Sequence, residues 1–212
     1  MRKHALHVMT TGKQPLSEVA NILRHCPTQA IDVLHIREKA LGAKEITEWF
    51  ASLQPLFRES AVYINDRLDA ALAVQAPGVQ LAYNSLSVSD SRRILPAAAR
   101  IGCSVHSVKE ALTAAREGAD YVLFGHIFES NSKPGLPPRG VKALTEVVNA
   151  CNLPVIAIGG IEPDNVEEVL STGCAGIAVL SSVLLHTEPA SQIRRFREAI
   201  DRTHHIPRSG FH

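Results

Sequence analysis

The sequence predicts an α/β protein with the single-domain (β/α)8 TIM-barrel fold. Short apolar segments alternate with longer amphipathic ones along most of the chain, which is the pattern of repeated strand–helix units. Eight strand candidates can be distinguished, and each is followed by a segment of helical length. A chain of 212 residues with 45% hydrophobic content can bury the core that such a barrel needs.

The strand candidates are short apolar runs bounded by turn-forming residues. They span residues 5–9, 31–36, 61–64, 78–81, 100–104, 121–124, 154–158 and 176–180. The helical segments lie near residues 15–25, 43–58, 67–75, 87–98, 107–118, 141–151, 162–172 and 189–203. Ser107 followed by Glu110 predicts a capped helix start, and Gly118 and Gly173 predict helix ends. We assign the barrel to residues 1–203 and expect a disordered tail over residues 204–212.

A doubly wound open sheet is the competing architecture, because it also alternates strands and helices. Its dinucleotide-binding fingerprint is missing, since Gly12 stands alone between the first strand and the first helix. We therefore favour the barrel. In TIM barrels the active site lies at the carboxyl ends of the strands. Residues directly after each strand are thus the functional candidates.

Composition excludes several classes of partner. The net charge is +1, with 22 Lys and Arg scattered among 21 acidic residues, so no nucleic acid partner is expected. The first residues form no long apolar run, and we expect a cytoplasmic protein without a membrane partner. The four cysteines have no paired spacing and predict neither a disulfide nor a metal site.

Polar residues and glycines follow several predicted strands. The substrate-binding candidates after strands two, three and five are Arg37, Lys39, Asn65 and Ser104. The loop after strand six begins with His126 and adds the candidates Ser130, Asn131, Ser132 and Lys133, whose side chains could bind an anion. Phosphate-binding candidates after the last two strands are Gly159, Gly160, Leu180 and Ser181.

Several of these segments resemble the thiamine phosphate synthase superfamily over nearly the whole chain. They are residues 35–39, 64–66, 102–107, 118–122, 158–161 and 175–178. The resemblance implies a (β/α)8 barrel that handles a thiazole phosphate. Residues 121–129 are similar to the TenI-like branch, whose members include thiazole tautomerases. In that branch the histidine at the His126 position is the catalytic candidate.

Departures from the synthase pattern determined our prediction of function. The resemblance implies that a synthase joins a pyrimidine pyrophosphate to the thiazole and needs Mg2+ held by two carboxylates. Asp66 matches the first carboxylate, but Ser85 stands where the second is expected. Asp90 is the only acidic residue nearby, on a predicted helix. The role of Asp66 without a second carboxylate stays open.

From the TenI-like resemblance we predict an isomerase, a thiazole tautomerase of thiamin biosynthesis. His126 would move a proton and aromatise a carboxythiazole phosphate without any metal or other cofactor. Arg37 and Lys133 would hold the carboxylate or phosphate of this small-molecule partner. A Mg2+-dependent thiamine phosphate synthase and a non-catalytic TenI-like ligand-binding or regulatory protein remain as alternatives. A homo-oligomer is also possible.

Overall fold

The computed structural model describes residues 3–130 and 135–211 and contains a closed barrel of eight parallel strands. Each strand pairs with the next one in the chain, and the first pairs with the last. The strands are β1 (Ala5–Met9), β2 (Val33–Ile36), β3 (Ala61–Asn65), β4 (Gly78–Leu81), β5 (Arg100–Val105), β6 (Tyr121–Gly125), β7 (Val155–Ile158) and β8 (Gly176–Val179). The predicted (β/α)8 fold is confirmed.

Helices surround this barrel. They are α1 (Leu16–Arg24), α2 (Ala43–Leu53), α3 (Leu68–Ala73), α4 (Val88–Ile94), α5 (Val108–Glu117), α6 (Gly140–Ala150), α7 (Val166–Leu170), α8 (Ser181–Leu184) and α9 (Pro189–Arg202). Short 3-10 turns occupy Thr28–Ala30, Gln54–Leu56 and Pro163–Asn165. Within the described ranges, no helix is long and apolar enough to cross a membrane.

Two helices end earlier than the sequence pattern predicted, and both ends lie next to prolines. The segment predicted over residues 43–58 is helical to Leu53 and then becomes a 3-10 turn that contains Pro55. The segment predicted over residues 87–98 ends at Ile94, and Leu95, which precedes Pro96, has extended backbone. Proline lacks an N–H group and disfavours helical backbone in the residue before it.

The strands are buried on both faces, which explains why they read as continuous apolar runs. Leu6 and Val8 of β1 pack against the surrounding helices, as part of the large core between barrel and helix layer. Ala5 and Met9 face a smaller core inside the barrel. Successive residues of a strand point to opposite faces, so the two cores take alternate positions.

The barrel interior also contains a buried polar cluster. His7 and His35 stack with ring centroids 5.1 Å apart, and His7 Nδ1 lies 2.9 Å from His35 Nε2. Tyr63 packs edge-on against His35, and Tyr121 packs edge-on against His7. The sequence pattern predicted β1 but not that His7 faces the interior, because both faces of the strand are buried.

The C-terminal segment contacts the barrel at the amino ends of the strands. The Phe211 ring lies 4.7 Å from the His7 ring and 5.2 Å from the Tyr121 ring, and the Arg100 guanidinium lies 5.0 Å from it. The backbone N–H of Arg208 donates to the Gly173 carbonyl at 2.9 Å. The expectation of a disordered tail over residues 204–212 stays a prediction.

Candidate active site

Two adjoining cavities open at the carboxyl ends of the strands. The first, called the mouth cavity, has a volume of about 220 Å³, and the second, called the glycine cavity, has a volume of about 190 Å³. The residues that line the mouth cavity include Arg37, Lys39, Asn65, Asp66, Ser104, His106 and His126. Lining of the glycine cavity includes Glu129, Gly160, Ile161, Glu162, Ser181 and Ser182. Ser130, Gly159 and Leu180 line both cavities, so the two form one continuous site.

Arg37 and Lys39 provide positive charge on one side of the mouth cavity. The backbone N–H of Arg37 donates to Thr10 Oγ1 at 2.8 Å, which fixes Arg37 directly after β2. Glu38 between them is turned toward β1, where its carboxylate accepts from the Gly12 backbone N–H at 3.2 Å. Burial raises the pKa of the Glu38 carboxyl. The two cations are therefore placed to meet an anionic ligand group.

Asp66 lies after β3 and is bonded to the loop after β4. Its Oδ1 accepts from the Ala82 backbone N–H at 3.0 Å and from the Ser85 hydroxyl at 2.5 Å. The Asp66 backbone is left-handed, with φ of 63°, a conformation that aspartate tolerates better than most residues. Asp66 thus joins the carboxyl ends of β3 and β4 at the edge of the mouth cavity.

A buried hydrogen-bonded chain leads from the barrel interior to this cavity. His35 Nδ1 lies 3.3 Å from Asn65 Oδ1. Because an amide oxygen can only accept, the Nδ1–H of His35 donates this bond. The Nε2 of His35 then accepts a hydrogen bond from the Nδ1–H of His7. This leaves the Asn65 amide NH2 available to the mouth cavity. Burial lowers the pKa of His35 to about 4 and lowers that of His7 well below its usual value. Both imidazoles are therefore neutral at pH 7.

Ser104 has a fixed orientation in the mouth cavity. The side-chain amide of Gln80 donates to Ser104 Oγ at 3.0 Å. Gln80 is fully buried in β4, and its neighbour on β5 is Gly102, where a Cβ atom would collide with the side chains of Gln80 and Tyr121. Glycine at this position thus makes room for the amide that orients Ser104.

His126 follows β6 and is 7% exposed. Its Nε2–H donates to the Leu136 carbonyl at 3.1 Å, which leaves Nδ1 as the acceptor nitrogen. The buried Nδ1 has no hydrogen-bond partner among the residues that the structure describes.

The glycine cavity is shaped by Gly159 and Gly160, whose φ angles are +105° and +65°. A Cβ atom at Gly160 would lie 2.7 Å from Phe128 Cβ and would also collide with the Glu129 carbonyl oxygen. Glycine is therefore required for both the backbone conformation and the close approach of the loop after β6. Two carboxylates, Glu129 and Glu162, line the same cavity, and burial raises the pKa of Glu162.

The structure thus brings most of the sequence-predicted site residues to one end of the barrel. Arg37, Lys39, Asn65, Ser104 and His126 line the mouth cavity, and Gly160 and Ser181 line the glycine cavity. Asn131, Ser132 and Lys133 lie outside the described residues. His106 also lines the mouth cavity. The chain from His7 through His35 to Asn65 was not predicted.

The site is continuous, cation-bearing and glycine-lined, and it lies at the carboxyl ends of the strands, where TIM-barrel enzymes have their active sites. The family described as thiamine monophosphate synthase matches residues 6–183, and the chain belongs to this family.

Relatives and solved structures agree with this assignment. The chain is 43% identical over 160 residues to a protein from Chlorobium phaeovibrioides named thiamine-phosphate synthase, covering 74% of this chain and 77% of that one. It is 38% identical over 176 residues to a protein of the same name from Pyrococcus horikoshii, covering 82% and 84%. The solved thiamine phosphate pyrophosphorylase from Pyrococcus furiosus superposes with a TM-score of 0.81 at 34% identity, covering 94% and 96%.

These relatives correct two sequence-based predictions. The prediction of a thiazole tautomerase, with His126 as its acid and base, is wrong, and so is the isomerase class, because the relatives are named as synthases. The TenI-like assignment rested on residues 121–129, a short part of the chain. The overall similarity outweighs these few positions.

The magnesium site that the resemblance implies for a synthase does not fit the residues present. Mg2+ prefers octahedral oxygen ligands and usually one or two carboxylates together with substrate phosphates. Asp66 is the carboxylate that lines the described part of the mouth cavity, and Ser85 and Ala82 already donate to its Oδ1. Across residues 3–130 and 135–211, no group of three or more His, Cys, Asp or Glu residues could hold a metal. Among the described residues that line the mouth cavity, Asp66 therefore has no second carboxylate beside it.

Proposed function

We propose that this chain is a thiamine phosphate synthase, a transferase that joins a pyrimidine pyrophosphate to a thiazole phosphate. The names of its relatives support this reaction, with identities of 36% to 43% over at least 160 residues. The new bond forms between the pyrimidine and thiazole portions as pyrophosphate leaves. The substrates are small phosphorylated molecules of thiamine biosynthesis.

The observation that carries the proposal is the pair of adjoining cavities. A coupling reaction needs two anionic substrates bound side by side, with their reacting atoms between the two anions. The mouth cavity and the glycine cavity share Ser130, Gly159 and Leu180, so ligands in them would touch. A reaction on a single monophosphate substrate would need only one anion-binding region.

Each cavity suits a different anionic group. Arg37 and Lys39 place two positive charges at the mouth cavity, where a pyrophosphate ester would be held by charge-assisted hydrogen bonds. In the glycine cavity, backbone N–H groups of Gly159 and Gly160 and the hydroxyl of Ser181 would hold a phosphate, with the Glu129 and Glu162 carboxylates on the same lining. Leu180 would contribute through its backbone, and Ser130, between the cavities, would contact either ligand. Asn131, Ser132 and Lys133 stay predictions as further anion-binding residues.

Polar side chains between the anion regions would orient the rings. The Asn65 amide NH2 and the Ser104 hydroxyl face the mouth cavity and can bond to ring nitrogens or to an amine. The His126 Nδ1 can accept a hydrogen bond from the same ligand. We propose His126 as a substrate-binding residue of the synthase reaction.

The test is simultaneous occupancy, measured by calorimetric titration with inorganic phosphate and inorganic pyrophosphate. We expect pyrophosphate to bind the phosphate-saturated protein with nearly the affinity that it shows for the free protein. Arg37→Met should weaken pyrophosphate binding by about tenfold to a hundredfold, since a hydrogen bond to a charged group is removed. Arg24→Met, the same change at an exposed residue of α1, is the matched control. Mutual competition between the two anions would contradict the proposal.

A further inference from the structure

Four hydrogen bonds connect Asp66 with Ala82 and Ser85 in the loop after β4. The Ser85 hydroxyl donates to Asp66 Oδ1 at 2.5 Å and accepts from the Ala82 backbone N–H at 2.9 Å. The same N–H lies 3.0 Å from Asp66 Oδ1. The Ser85 backbone N–H in turn donates to the Ala82 carbonyl at 3.2 Å. Asp66 therefore anchors the turn that contains residues 82–85.

These bonds engage Oδ1, one of the two carboxylate oxygens through which Asp66 could bind a metal. A carboxylate oxygen with two N–H or O–H donors directs its electron density to them, and binding a cation there would require the Ser85 hydroxyl to turn away. The Asp66 backbone N–H also donates to the Gln80 carbonyl at 3.0 Å, which fixes the residue to β4 from the other side. Asp66 is thus held in a hydrogen-bonded role.

Two other carboxylates of this region, Asp90 and Glu38, are engaged elsewhere. Asp90, on α4, accepts from the Ser87 hydroxyl at 2.6 Å and forms an ion pair with Arg93 at 3.3 Å. Glu38 faces the Gly12 amide. Neither carboxylate lines the mouth cavity. In the part of the chain that is described, Asp66 has no second carboxylate beside it in that cavity.

We propose that Asp66 is a positioning residue that fixes the loop after β4 through Ala82 and Ser85, and that the mouth cavity binds a diphosphate ester without a carboxylate-pair magnesium site. This inference rests on the proposed function, because a diphosphate ester is the ligand of a synthase. Among the described side chains at this cavity are two cations, Arg37 and Lys39, and one carboxylate, that of Asp66.

The first experiment introduces the missing carboxylate. Ser85→Asp places a second negative charge beside Asp66, so we expect its Tm without Mg2+ to fall by about 2–4 °C, as for a loss of about 1 kcal/mol. Added Mg2+ should restore that Tm and leave the wild-type Tm unchanged. Ser85→Asn, of similar size but uncharged, should not respond to Mg2+. The proposal would be overturned if Mg2+ raised the Tm of the wild type but did not raise the Tm of Asp66→Asn.

The second experiment measures ligand binding directly. Pyrophosphate should bind the wild-type protein in EDTA, and Mg2+ titrated alone should show no binding to it. Pyrophosphate that binds only when Mg2+ is present would overturn the inference.

Failure of this inference is distinguishable from failure of the proposed function. Thiamine phosphate formation that stops in EDTA and returns with Mg2+ would overturn the inference and leave the synthase proposal standing. An absence of product under every condition would refute the synthase proposal, while the Mg2+ and pyrophosphate titrations would still decide the binding mode.

Discussion

His7 Nδ1 lies 2.9 Å from His35 Nε2 inside the barrel, and both imidazoles are completely buried. This pair fixes the hydrogen-bonding direction of the chain that ends at Asn65 in the mouth cavity. Because a charged imidazole would lose its hydration there, burial keeps both rings neutral. The hydrogen bonding of Asn65 in the mouth cavity is therefore linked to the neutral state of His7 and His35.

We predict that acid destabilises the protein through this pair. The pKa of His35 is about 4 in the folded chain against 6.5 for the unfolded residue, so the unfolded chain takes up a proton that the folded chain does not. The free energy of unfolding should fall as the pH drops from about 6.5 to about 4, by about 3 kcal/mol from His35 alone. Denaturant unfolding at a series of pH values measures this.

A pair of variants assigns the effect to His35. His35→Gln should remove the part of this pH dependence that comes from His35, because glutamine keeps a polar side chain but does not titrate. His25→Gln, at an exposed position after α1, should retain the full dependence. Equal pH dependence in both variants would exclude His35 as its source.

A second prediction concerns the close approach at Gly160. Gly160→Ala combines a strained φ of +65° with a collision against the loop after β6, so we expect a loss of stability above about 2 kcal/mol and weaker phosphate binding. Gly140→Ala is the matched control, because its φ is +76° and no atom lies within 4 Å of the added Cβ. It should lose only about 1 kcal/mol. Thermal melts and phosphate titration distinguish the two variants, and equal losses would show that packing at Gly160 is unimportant.

A third prediction concerns the C-terminal segment. Phe211→Ala removes an aromatic ring that contacts His7, Tyr121 and Arg100, and we expect it to destabilise the protein by about 2 kcal/mol. Ile206→Ala changes a residue of the same segment that is 73% exposed, and should stay within about 0.5 kcal/mol of the wild type. If Phe211→Ala is as stable as Ile206→Ala, the segment is disordered in solution, as its sequence suggested.

Much of the fold was predictable because each strand of a parallel barrel is buried on both faces and reads as an apolar run. The helices that end beside Pro55 and Pro96 were predicted too long, because the apolar periodicity continues past prolines that cannot continue a helix. The inward direction of His7 was not predictable, because a doubly buried strand lacks the polar–apolar alternation that distinguishes its two faces.

The position of most candidate site residues was predictable from the sequence, whereas their roles stay predictions. Arg37, Asn65, Ser104, His126 and Gly160 follow strand ends, and topology alone carries such residues to one end of a barrel. The function was mistaken because Ser85 and His126 were given decisive weight. Replacing one metal-binding residue changes how a site binds a metal, but the groups that would bind the substrates can remain in place.

The measurement that tests the synthase proposal most directly is the rate of thiamine phosphate formation from a pyrimidine pyrophosphate and a thiazole phosphate. The purified wild-type chain should form the product only when both substrates are present. Arg37→Met should lower kcat/KM by about tenfold to a hundredfold, and Arg24→Met should not. If the wild-type chain binds both substrates and forms no thiamine phosphate, with or without Mg2+, the synthase proposal is contradicted.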